Sequence, residues 1–467
     1  MNPFSFSKDA LRQISHDTLA IARQLGAAQT AVEVSESQGL SVSVRKGELE
    51  NTEHNRDKSL GVTVFLGKPG ALTHGSASTA DFSAHSLKAT VQAAFDIARY
   101  TAIDDCSGLP EPSTLFKGEE FKGEARKGKD NDLDLYHPWN VNTQHACELA
   151  LLAEAAALGV SKHITNSDGA HVSASHGQFY QASQYGAHAG FEGGYAYSRH
   201  SLSVSPIASY KGALQRDDWY TSERNPAKLS DAAAVGRYAG QRALARLNAR
   251  KIPTGHYPVL FEAPLACGLM GSLVGAVSGG SLYRDSSFLK DSLGKTVIHS
   301  AISIREDPHI KGASGSAWFD DEGTPTVARD IVTAGVLNTY FLSTYSARKL
   351  GMVSTGHAGG SHNLLLTHAN TRPTDDLNAL LAQLGTGLFV TELLGQGVNA
   401  VTGDYSRGAS GFWVKYGVIQ HAVEEITIAG NLRDMLMRIV AVGADRITRG
   451  TKTTGSMLIE RMAVAGS

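Results

Sequence analysis

Apolar positions in the first hundred residues follow a helical period in some segments and a strand period in others. An apolar residue at every third or fourth position predicts helices over 7–25 and about 81–100. Alternating or β-branched runs between these helices predict strands over 30–36, 40–45 and 61–66. This part of the chain is therefore expected to form an α-β-β-β-α domain.

Further helices and short strands are predicted beyond residue 135. One helix is expected over 143–158, which is rich in alanine and leucine, and another over about 231–249. On the second of these helices, Arg242 is predicted to point away from the alanine-rich side. Four short runs separated by Gly, Asn and Asp predict strands at 163–167, 171–175, 179–185 and 201–205.

Two changes in composition divide the chain. Residues from about 102 to 135 contain prolines, glycines and a run of mixed charge, so they predict an exposed linker. After His256 the apolar runs are short and broken by glycine, which favours a β-rich domain. The predicted class is α+β. An N-terminal α-β-β-β-α domain at 1–240 is followed by a β-rich domain, an antiparallel sheet or barrel, at 241–467.

The composition of the 467 residues is typical of a folded, soluble protein. Hydrophobic residues make up 42% of the chain and the formal net charge is −2, a combination unlike that of disordered or nucleic-acid-binding proteins. The sequence contains no secretory signal and no membrane-spanning apolar run, so a cytoplasmic location is expected. Three widely spaced cysteines without a CxxC pair argue against a thiolate zinc site and a disulfide framework.

Short catalytic motifs are absent from the sequence. None of the 18 histidines is followed by glutamate, which excludes the HExxH motif of thermolysin-like proteases. Ser314 and Ser410 lie in glycine-rich segments, but glycine follows each directly, so neither fits the GxSxG nucleophile elbow. Phosphate-binding and dinucleotide-binding glycine motifs are missing as well. These motif searches therefore identify no catalytic residue.

Two pairs of histidines have a spacing of five residues. His171 and His176 fall in a predicted strand, where an odd spacing puts the side chains on opposite faces and prevents them from sharing a metal. His357 and His362 fall in a glycine-rich loop, where spacing sets no such limit. The second pair is therefore interpreted either as structuring the loop or as contacting a ligand or partner.

The densest group of polar residues lies between positions 391 and 413, where five glycines alternate with polar and aromatic side chains. One interpretation is a surface that binds a substrate peptide or a partner subunit. The other is a set of tight turns between buried strands, with Asp404 and Arg407 as an internal ion pair. The candidate binding residues of this stretch are Glu392, Gln396, Asn399, Asp404, Tyr405, Arg407 and Trp413.

Motifs spread over nearly the whole chain resemble one family. The segment from Gly403-Asp-Tyr-Ser-Arg-Gly408 to Trp413 is especially diagnostic. The sequence is similar to the TldD/TldE (PmbA) metallopeptidase family, and specifically to its TldE/PmbA branch. The other matching stretches are 132–136, 165–169, 279–289, 320–323, 342–351, 354–360, 424–431 and 455–456.

The resemblance implies a metal-dependent peptidase built from two related subunits. The TldD-like subunit of such an enzyme carries HExxxH on a helix and a later cysteine, and together these hold the metal. By position, that helix corresponds here to about 266–277, which contains neither histidine nor glutamate. The segment 449–456 stands where the TldD branch has Gly-x-Cys-Gly. Cys267 is a lone thiol in an apolar helix and is interpreted as a core residue.

The expected function is therefore that of a non-catalytic subunit of a heteromeric metallopeptidase. No metal is expected in this chain, whereas a zinc-type metal is expected in a TldD-like partner, and unfolded peptides are the expected substrates. The alternative is a stand-alone homodimer that binds peptides or a partner without hydrolysis. A third possibility is an active peptidase with relocated ligands such as His357 and His362.

Overall fold

The computed structural model describes residues 4–118 and 132–466. The helices within these residues are α1 Lys8–Gln24, α2 Ala84–Tyr100, α3 Thr143–Leu158, α4 Ala232–Ala245, α5 Ala263–Ala276, α6 Gly279–Tyr283, α7 Thr344–Lys349, α8 Leu377–Leu384 and α9 Leu432–Met437. None of these helices has the length and hydropathy that crossing a bilayer requires. The strands are β1 Gln29–Arg45, β2 Glu48–Lys68, β3 Ala71–Thr79, β4 Ile164–Tyr185, β5 His188–Gly193, β6 Ala196–Tyr210, β7 Ala213–Arg216, β8 Trp219–Glu223, β9 Gly255–Phe261, β10 Ile302–Glu306, β11 Arg329–Thr333, β12 Val336–Leu337, β13 Leu364–His368, β14 Gly387–Leu394, β15 Asp404–Lys415, β16 Val418–Asn431, β17 Ile439–Val442, β18 Ile447–Arg449, β19 Lys452–Thr454 and β20 Met457–Ala465.

The first half of the chain builds an eight-stranded sheet around the long hairpin β1–β2. Its strand order is β3-β2-β1-β4-β6-β7, while β5 pairs with β4 and β8 pairs with β6. Even-numbered residues of β1, such as Val32 and Val34, are buried against α1 and α2. The odd-numbered face turns away from these helices and carries the exposed Glu33. The order α1-β1-β2-β3-α2 confirms the predicted α-β-β-β-α arrangement.

Several predicted strands are parts of longer ones. Segments 30–36 and 40–45 form the single strand β1, because the three residues between them continue the ladders to both neighbouring strands. The predicted third strand, 61–66, is part of β2. The third strand of the structure is β3, whose sequence lacks a regular alternation. The three runs predicted between 163 and 185 all belong to β4, where bulges interrupt the period of two. Because these strand pairings are irregular, the hydrophobic pattern does not reveal the true lengths of the strands.

Helices α3 and α4 cover the remainder of the first sheet. Their alanine-rich faces pack together, and Gly236 permits the close approach because a Cβ there would lie 2.1 Å from the carbonyl oxygen of Ala153. Helix α3 has the predicted bounds, whereas α4 ends at Ala245, before its predicted end. The domain boundary predicted at 240/241 falls inside α4, which packs on α3 and so belongs with the first half.

The second half of the chain forms two six-stranded sheets. Their orders are β12-β11-β10-β13-β19-β18 and β16-β15-β14-β9-β20-β17. In the second of these sheets β16 also pairs with β20, which closes a barrel. Most pairs are antiparallel, but β9 and β14 run parallel. A core of large apolar side chains, including Phe261, Ile304 and Ile428, fills this half. The β-rich, barrel-like architecture and the α+β class are therefore confirmed.

The linker predicted as exposed over 102–135 is anchored to the second half of the chain. Its residues 119–131 lie outside the described residues. Before them, Leu109 is buried, and its carbonyl oxygen accepts a hydrogen bond at 2.7 Å from Arg348 of α7. After them, Leu133 is also buried. The described part of the predicted linker thus combines exposed residues with a few buried apolar residues that anchor it.

Two buried histidines of neighbouring strands in the first sheet pack edge to face. His176 of β4 and His200 of β6 are 7% and 0% exposed, with ring centroids 5.3 Å apart. His171 lies on the opposite, exposed face of β4, as its odd spacing from His176 predicts. Burial lowers the pKa of both His176 and His200, and a neighbouring histidine lowers each pKa further.

We expect His176→Asn to weaken the loss of stability at mildly acidic pH. A histidine with a lowered folded-state pKa contributes its full stability above about pH 6.5 and loses it as the pH falls towards the folded-state value, because the unfolded chain takes up the proton first. The drop in free energy of unfolding between about pH 7.5 and about pH 5.5 should shrink by about 1 kcal/mol, measured by urea unfolding. His145→Asn, at an exposed position of α3, should keep the wild-type drop. Equal drops in all three proteins would contradict the prediction.

Candidate functional site

A cleft lies between the open face of the first sheet and loops of the second half. It comprises two cavities of about 560 and 280 Å³, whose walls share Gln181 and Asp321. The larger cavity lies over the odd-numbered face of β1, which carries Glu33, and the segment around Leu109 forms part of its wall. The smaller cavity extends to the loop at 358–362. Because the walls are shared, we treat both cavities as one candidate binding cleft.

Three consecutive acidic residues, Asp320, Asp321 and Glu322, form a turn on the second-half side of this cleft. Asp320 is buried, and its carboxylate accepts hydrogen bonds from the backbone N–H groups of Glu322 and Ala358, both at 3.0 Å. Burial and the charge of Glu322 raise the pKa of Asp320 to about 7, while the backbone donors oppose this shift. Burial also raises the pKa of Asp321, with contributions from the charges of Glu33 and Glu322. The cleft is therefore lined by carboxylates that repel one another.

The two loop histidines meet around a buried glutamate of β10. His357 and His362 are 5% and 8% exposed, and Glu306 is fully buried. Nε2 of His357 lies 2.7 Å from one carboxylate oxygen of Glu306, and the backbone N–H of His362 donates to the other at 2.7 Å. Burial alone raises the pKa of Glu306, but the hydrogen bonds and charges of the two histidines outweigh it and lower the pKa. Burial lowers the pKa of His357, with Glu306 opposing. A neutral His357 that donates to an ionised Glu306 agrees with both directions.

The remaining ring nitrogens of these histidines are engaged within the chain. Nδ1 of His357 lies 2.8 Å from the hydroxyl oxygen of Thr355. Both ring nitrogens of His362 lie against carbonyl oxygens, those of Gly315 at 3.1 Å and Gly356 at 3.3 Å. These contacts favour the interpretation that the pair structures its loop, and they position the loop that lines the smaller cavity.

One acidic group near α7 has the spacing of a metal site. In the part of the chain that the structure describes, only Asp104, Asp105 and Cys106 bring three possible ligand atoms within 4.8 Å of one another. The Asp104 carboxylate accepts hydrogen bonds from Lys349 at 2.8 Å and from Tyr345 at 2.7 Å. The hydrogen bond from Lys349 is the main cause that lowers the pKa of Asp104, to about 2. Because Lys349 already balances the charge, we assign no metal to this group, and the loop histidines belong to no such group.

Glu392 lies at the edge of a network of buried ion pairs. Arg246, the C-cap residue of α4, donates to Glu392 and lies 3.8 Å from Asp217. Arg242, one turn earlier, pairs with Asp217 at 3.1 Å and with Glu262 at 2.5 Å. The Arg242 side chain is only 13% exposed. Arg242 points away from the alanine-rich side of α4, as predicted, but it is buried there because residues of the second half, such as Glu262, cover this side of the helix.

Asp404 and Arg407 do not form the ion pair that one interpretation predicted. Their spacing of three residues places them on opposite faces of β15. The Asp404 carboxylate instead accepts hydrogen bonds from Thr402 at 2.7 Å and from Asn431 at 3.1 Å. Tyr405 is buried, which raises its pKa to about 12, and the nearby Arg407 opposes this shift.

The other candidates of the 391–413 stretch have different environments. Gln396 and Asn399 lie in the exposed loop between β14 and β15, where Asn399 Oδ1 accepts a hydrogen bond from the backbone of Val401 at 2.9 Å. Trp413 is partly buried, and its ring packs edge-on against Tyr257 with centroids 5.1 Å apart. The stretch therefore divides into structural members within the strands and an exposed loop that is free to contact another molecule.

Helix α5 is the segment in which the family resemblance places the metal ligands. It contains no histidine, glutamate or aspartate. The thiol of Cys267 lies against the carbonyl oxygens of Ile447 and Lys452 at 3.8 and 3.5 Å, and burial raises its pKa. The Lys452 side chain also passes 3.6 Å from the Cβ position of Gly271, and Arg449 lies close enough to act on the thiol electrostatically. A catalytic zinc ion does not fit here, since ligands are missing and two cationic side chains are near.

Sequence reasoning missed the groups that join distant parts of the chain. Glu306 meets histidines 51 and 56 residues away, and the Gln181–Glu33 hydrogen bond spans 148 residues. None of these pairs has a local motif. The only local signal for the cleft is the acidic turn at 320–322, which falls within one of the stretches that carry the family resemblance.

The architecture defines a class of two-part α+β proteins with a half-barrel and a closed barrel. A proposed modulator of DNA gyrase from Bacteroides thetaiotaomicron has this fold, with a TM-score of 0.86, 26% identity, and coverage of 99% of this chain and 100% of that one. TldE from Thermococcus kodakarensis superposes with a TM-score of 0.79 over 97% of this chain and 100% of its own. Its identity of 18% supports the likeness of fold alone.

Family models cover most of the sequence. Those of the PmbA/TldA metallopeptidase domain 1, central domain and C-terminal domain match residues 31–98, 136–247 and 254–466. The metalloprotease PmbA of Escherichia coli O157:H7 is 44% identical over 461 residues, which is 98% of this chain and 97% of that protein. A PmbA homologue of Haemophilus influenzae is 44% identical over 98% of this chain and 96% of its own length. The chain belongs to the PmbA/TldD family of metallopeptidases.

Proposed function

We propose that this chain is the TldE/PmbA-like, non-catalytic subunit of a cytoplasmic heteromeric metallopeptidase that cleaves unfolded peptides. A TldD-like partner supplies the zinc-type metal and the activated water. The observation that carries the proposal is the environment of α5. Its sequence lacks the HExxxH ligands that the resemblance assigns to the catalytic subunit, and Lys452 and Arg449 lie beside its only thiol.

The position of β18 and β19 supports this proposal. The TldD branch carries its late cysteine in the segment that corresponds to 449–456 here. This hairpin packs on α5, since the Cys267 thiol contacts carbonyl oxygens of both strands. The two segments expected to hold metal in a TldD-like subunit are therefore neighbours in this fold, yet neither supplies the expected ligand. A TldD homologue of Buchnera aphidicola, 26% identical over 44% of each chain, is consistent with related subunits.

The cleft and the 394–401 loop supply surfaces for the two contacts that such a subunit needs. We assign the cleft around Gln181 to the substrate peptide, because an extended segment fits between a sheet face and loops. The loop exposes Leu394 and Val401, 51% and 53% accessible, beside Gln396 and Asn399. We assign this loop to the contact with the partner subunit.

The proposal is tested by mixing the purified chain with its TldD-like partner and measuring cleavage of an unfolded peptide. Cleavage is expected from the mixture and not from this chain alone, and a chelator should abolish it. Elemental analysis of this chain should find far less than one metal ion per molecule. Cys267→Ala should leave the activity of the mixture unchanged. Chelator-sensitive cleavage by this chain alone, or stoichiometric bound metal, would contradict the non-catalytic role.

The second candidate function is a stand-alone homodimer that binds peptides without cleaving them. The exposed apolar residues of the 394–401 loop suit a second copy of this chain as well as a TldD-like subunit. Size-exclusion chromatography with light scattering distinguishes the two. A stable heteromer of fixed stoichiometry supports the first proposal. A homodimer that ignores the TldD-like chain and binds the peptide uncut supports the second.

A further inference from the structure

Three carboxylates line the cleft and have no cationic partner in the part of the chain that the structure describes. Glu33 projects from β1, and Asp321 and Glu322 project from the facing turn. Within residues 4–118 and 132–466, none of the three forms a salt bridge, whereas Asp104 of the acidic group near α7 pairs with Lys349. Glu322 accepts a hydrogen bond at 2.8 Å from the backbone N–H of Thr344. Such an arrangement gives the larger cavity a negative potential.

Gln181 provides an observation independent of these acids. Gln181 is only 7% exposed and lines both cavities of the cleft. Its Nε2 donates to Glu33 at 3.1 Å, but its Oε1 is buried and has no hydrogen-bond partner among the described residues. A buried acceptor without a partner is costly, so this oxygen points to a donor supplied by a ligand.

An aromatic wall continues from the acidic part of the cleft. Tyr195 lines the smaller cavity, and its ring packs against Phe179 at 4.6 Å and Phe319 at 5.8 Å between centroids. Aromatic faces attract cations, so this wall and the carboxylates both favour a positively charged ligand. Arg224 also lines this cavity, but its guanidinium donates to backbone carbonyls, including that of Ser314 at 2.8 Å.

The spacing of the carboxylates distinguishes an organic cation from a metal ion. Among the described residues, the three acids of the cleft do not bring their oxygens within 4.8 Å of one another. A single metal ion bound by all three acids would hold one oxygen of each at about 2.0–2.6 Å, which requires the three oxygens to lie close together. An ammonium group on a flexible chain can reach one or two of these acceptors and extend its apolar stem along the cavity.

We propose that this cleft binds a protonated amine of the substrate peptide, such as a lysine side chain, between Glu33, Asp321 and the amide oxygen of Gln181. The inference rests on the proposed peptide-binding function and specifies which peptides are preferred. Peptides with a basic residue enter the cleft, and peptides without one bind more weakly at the same site.

The test compares two short glycine-serine peptides that differ only at the central residue, lysine in one and norleucine in the other. Both carry an N-terminal fluorophore and a C-terminal amide, so the lysine is the only amine. Fluorescence anisotropy with the full chain is expected to show about tenfold tighter binding of the lysine peptide. The double variant Glu33→Gln, Asp321→Asn should lose this preference. Glu460→Gln, an exposed glutamate of β20, should retain it.

The other possible results would contradict the inference, and each points to a different cause. Equal affinities of the two peptides for the wild type, or a preference that survives the double variant, would overturn the amine site but leave peptide binding intact. Binding of neither peptide would contradict the peptide-binding function itself. Displacement of the lysine peptide by stoichiometric Zn²⁺ in the wild type alone would replace the amine site by a metal site. Thermal unfolding of each variant confirms that the compared proteins are folded.

Discussion

Arg242→Met is expected to lower the free energy of unfolding by about 3–5 kcal/mol. Arg242 is the cation between Asp217 and Glu262, whose side chains are each only 10% exposed. Burial raises the pKa of Glu262, and the Arg242 guanidinium offsets part of this shift. Without it, Glu262 is a buried charge that has lost its partner, while Asp217 keeps only the more distant Arg246 at 3.8 Å.

Urea unfolding followed by tryptophan fluorescence measures the effect of this substitution. Trp219, one of four tryptophans, contributes a signal from the site, because the Arg242 guanidinium lies 5.2 Å from its ring. Arg237→Met is the matched control, since this side chain lies on the same helix but is 57% exposed. It should change the free energy of unfolding by less than about 0.5 kcal/mol. Adding Glu262→Gln to Arg242→Met should recover part of the loss by removing the unpaired charge. Equal effects of the two arginine substitutions would contradict the assignment.

Glu306→Ala is expected to cost about 3–5 kcal/mol of stability and to loosen the loop at 357–363. The substitution leaves Nε2 of His357 and the backbone N–H of His362 without an acceptor in a region that excludes water. It also removes a fully buried side chain and leaves a cavity. Since His362 lines the smaller cavity, the same change should disturb one wall of the candidate cleft.

Two measurements separate these effects of Glu306→Ala. Urea unfolding gives the global loss, for which Glu460→Ala at an exposed strand position is the control, with less than about 0.5 kcal/mol expected. Hydrogen exchange gives the local effect, because the amide of His362 should lose protection when its acceptor is removed. A loss no larger than that of the control, with the amide still protected, would show that the glutamate does not hold the loop.

Regular periodicity made much of the first half of the chain predictable. Helix α3 has the predicted bounds because a run of alanine and leucine between a capping asparagine and Gly159 is a local property. The β1 and β4 strands were predicted in pieces, since polar residues and bulges interrupt their alternation without ending their ladders. Strand length depends on the neighbouring strands, which the sequence pattern does not contain.

The candidate site was less predictable than the fold. The sequence draws attention to the histidines at 357 and 362 as a pair, but their common partner Glu306 lies on strand β10, far away along the chain. In the 391–413 stretch, the spacing could not tell the structural Tyr405 from the exposed Gln396, because burial depends on which sheet covers the strand. The assignment of binding residues therefore stays a prediction, now centred on the cleft and the exposed loop.

The sequence by itself determined the α+β class, the family resemblance, and the lack of histidine, glutamate and aspartate in α5, since these are properties of residue order. Only the tertiary structure decided that the β18–β19 hairpin lies against α5, that Arg242 is buried between carboxylates, and that Glu33 and Asp321 face one cleft. The physical reason is that burial and charge pairing depend on contacts between residues far apart in the chain. The hydrophobic pattern records only which neighbours along the chain share a face.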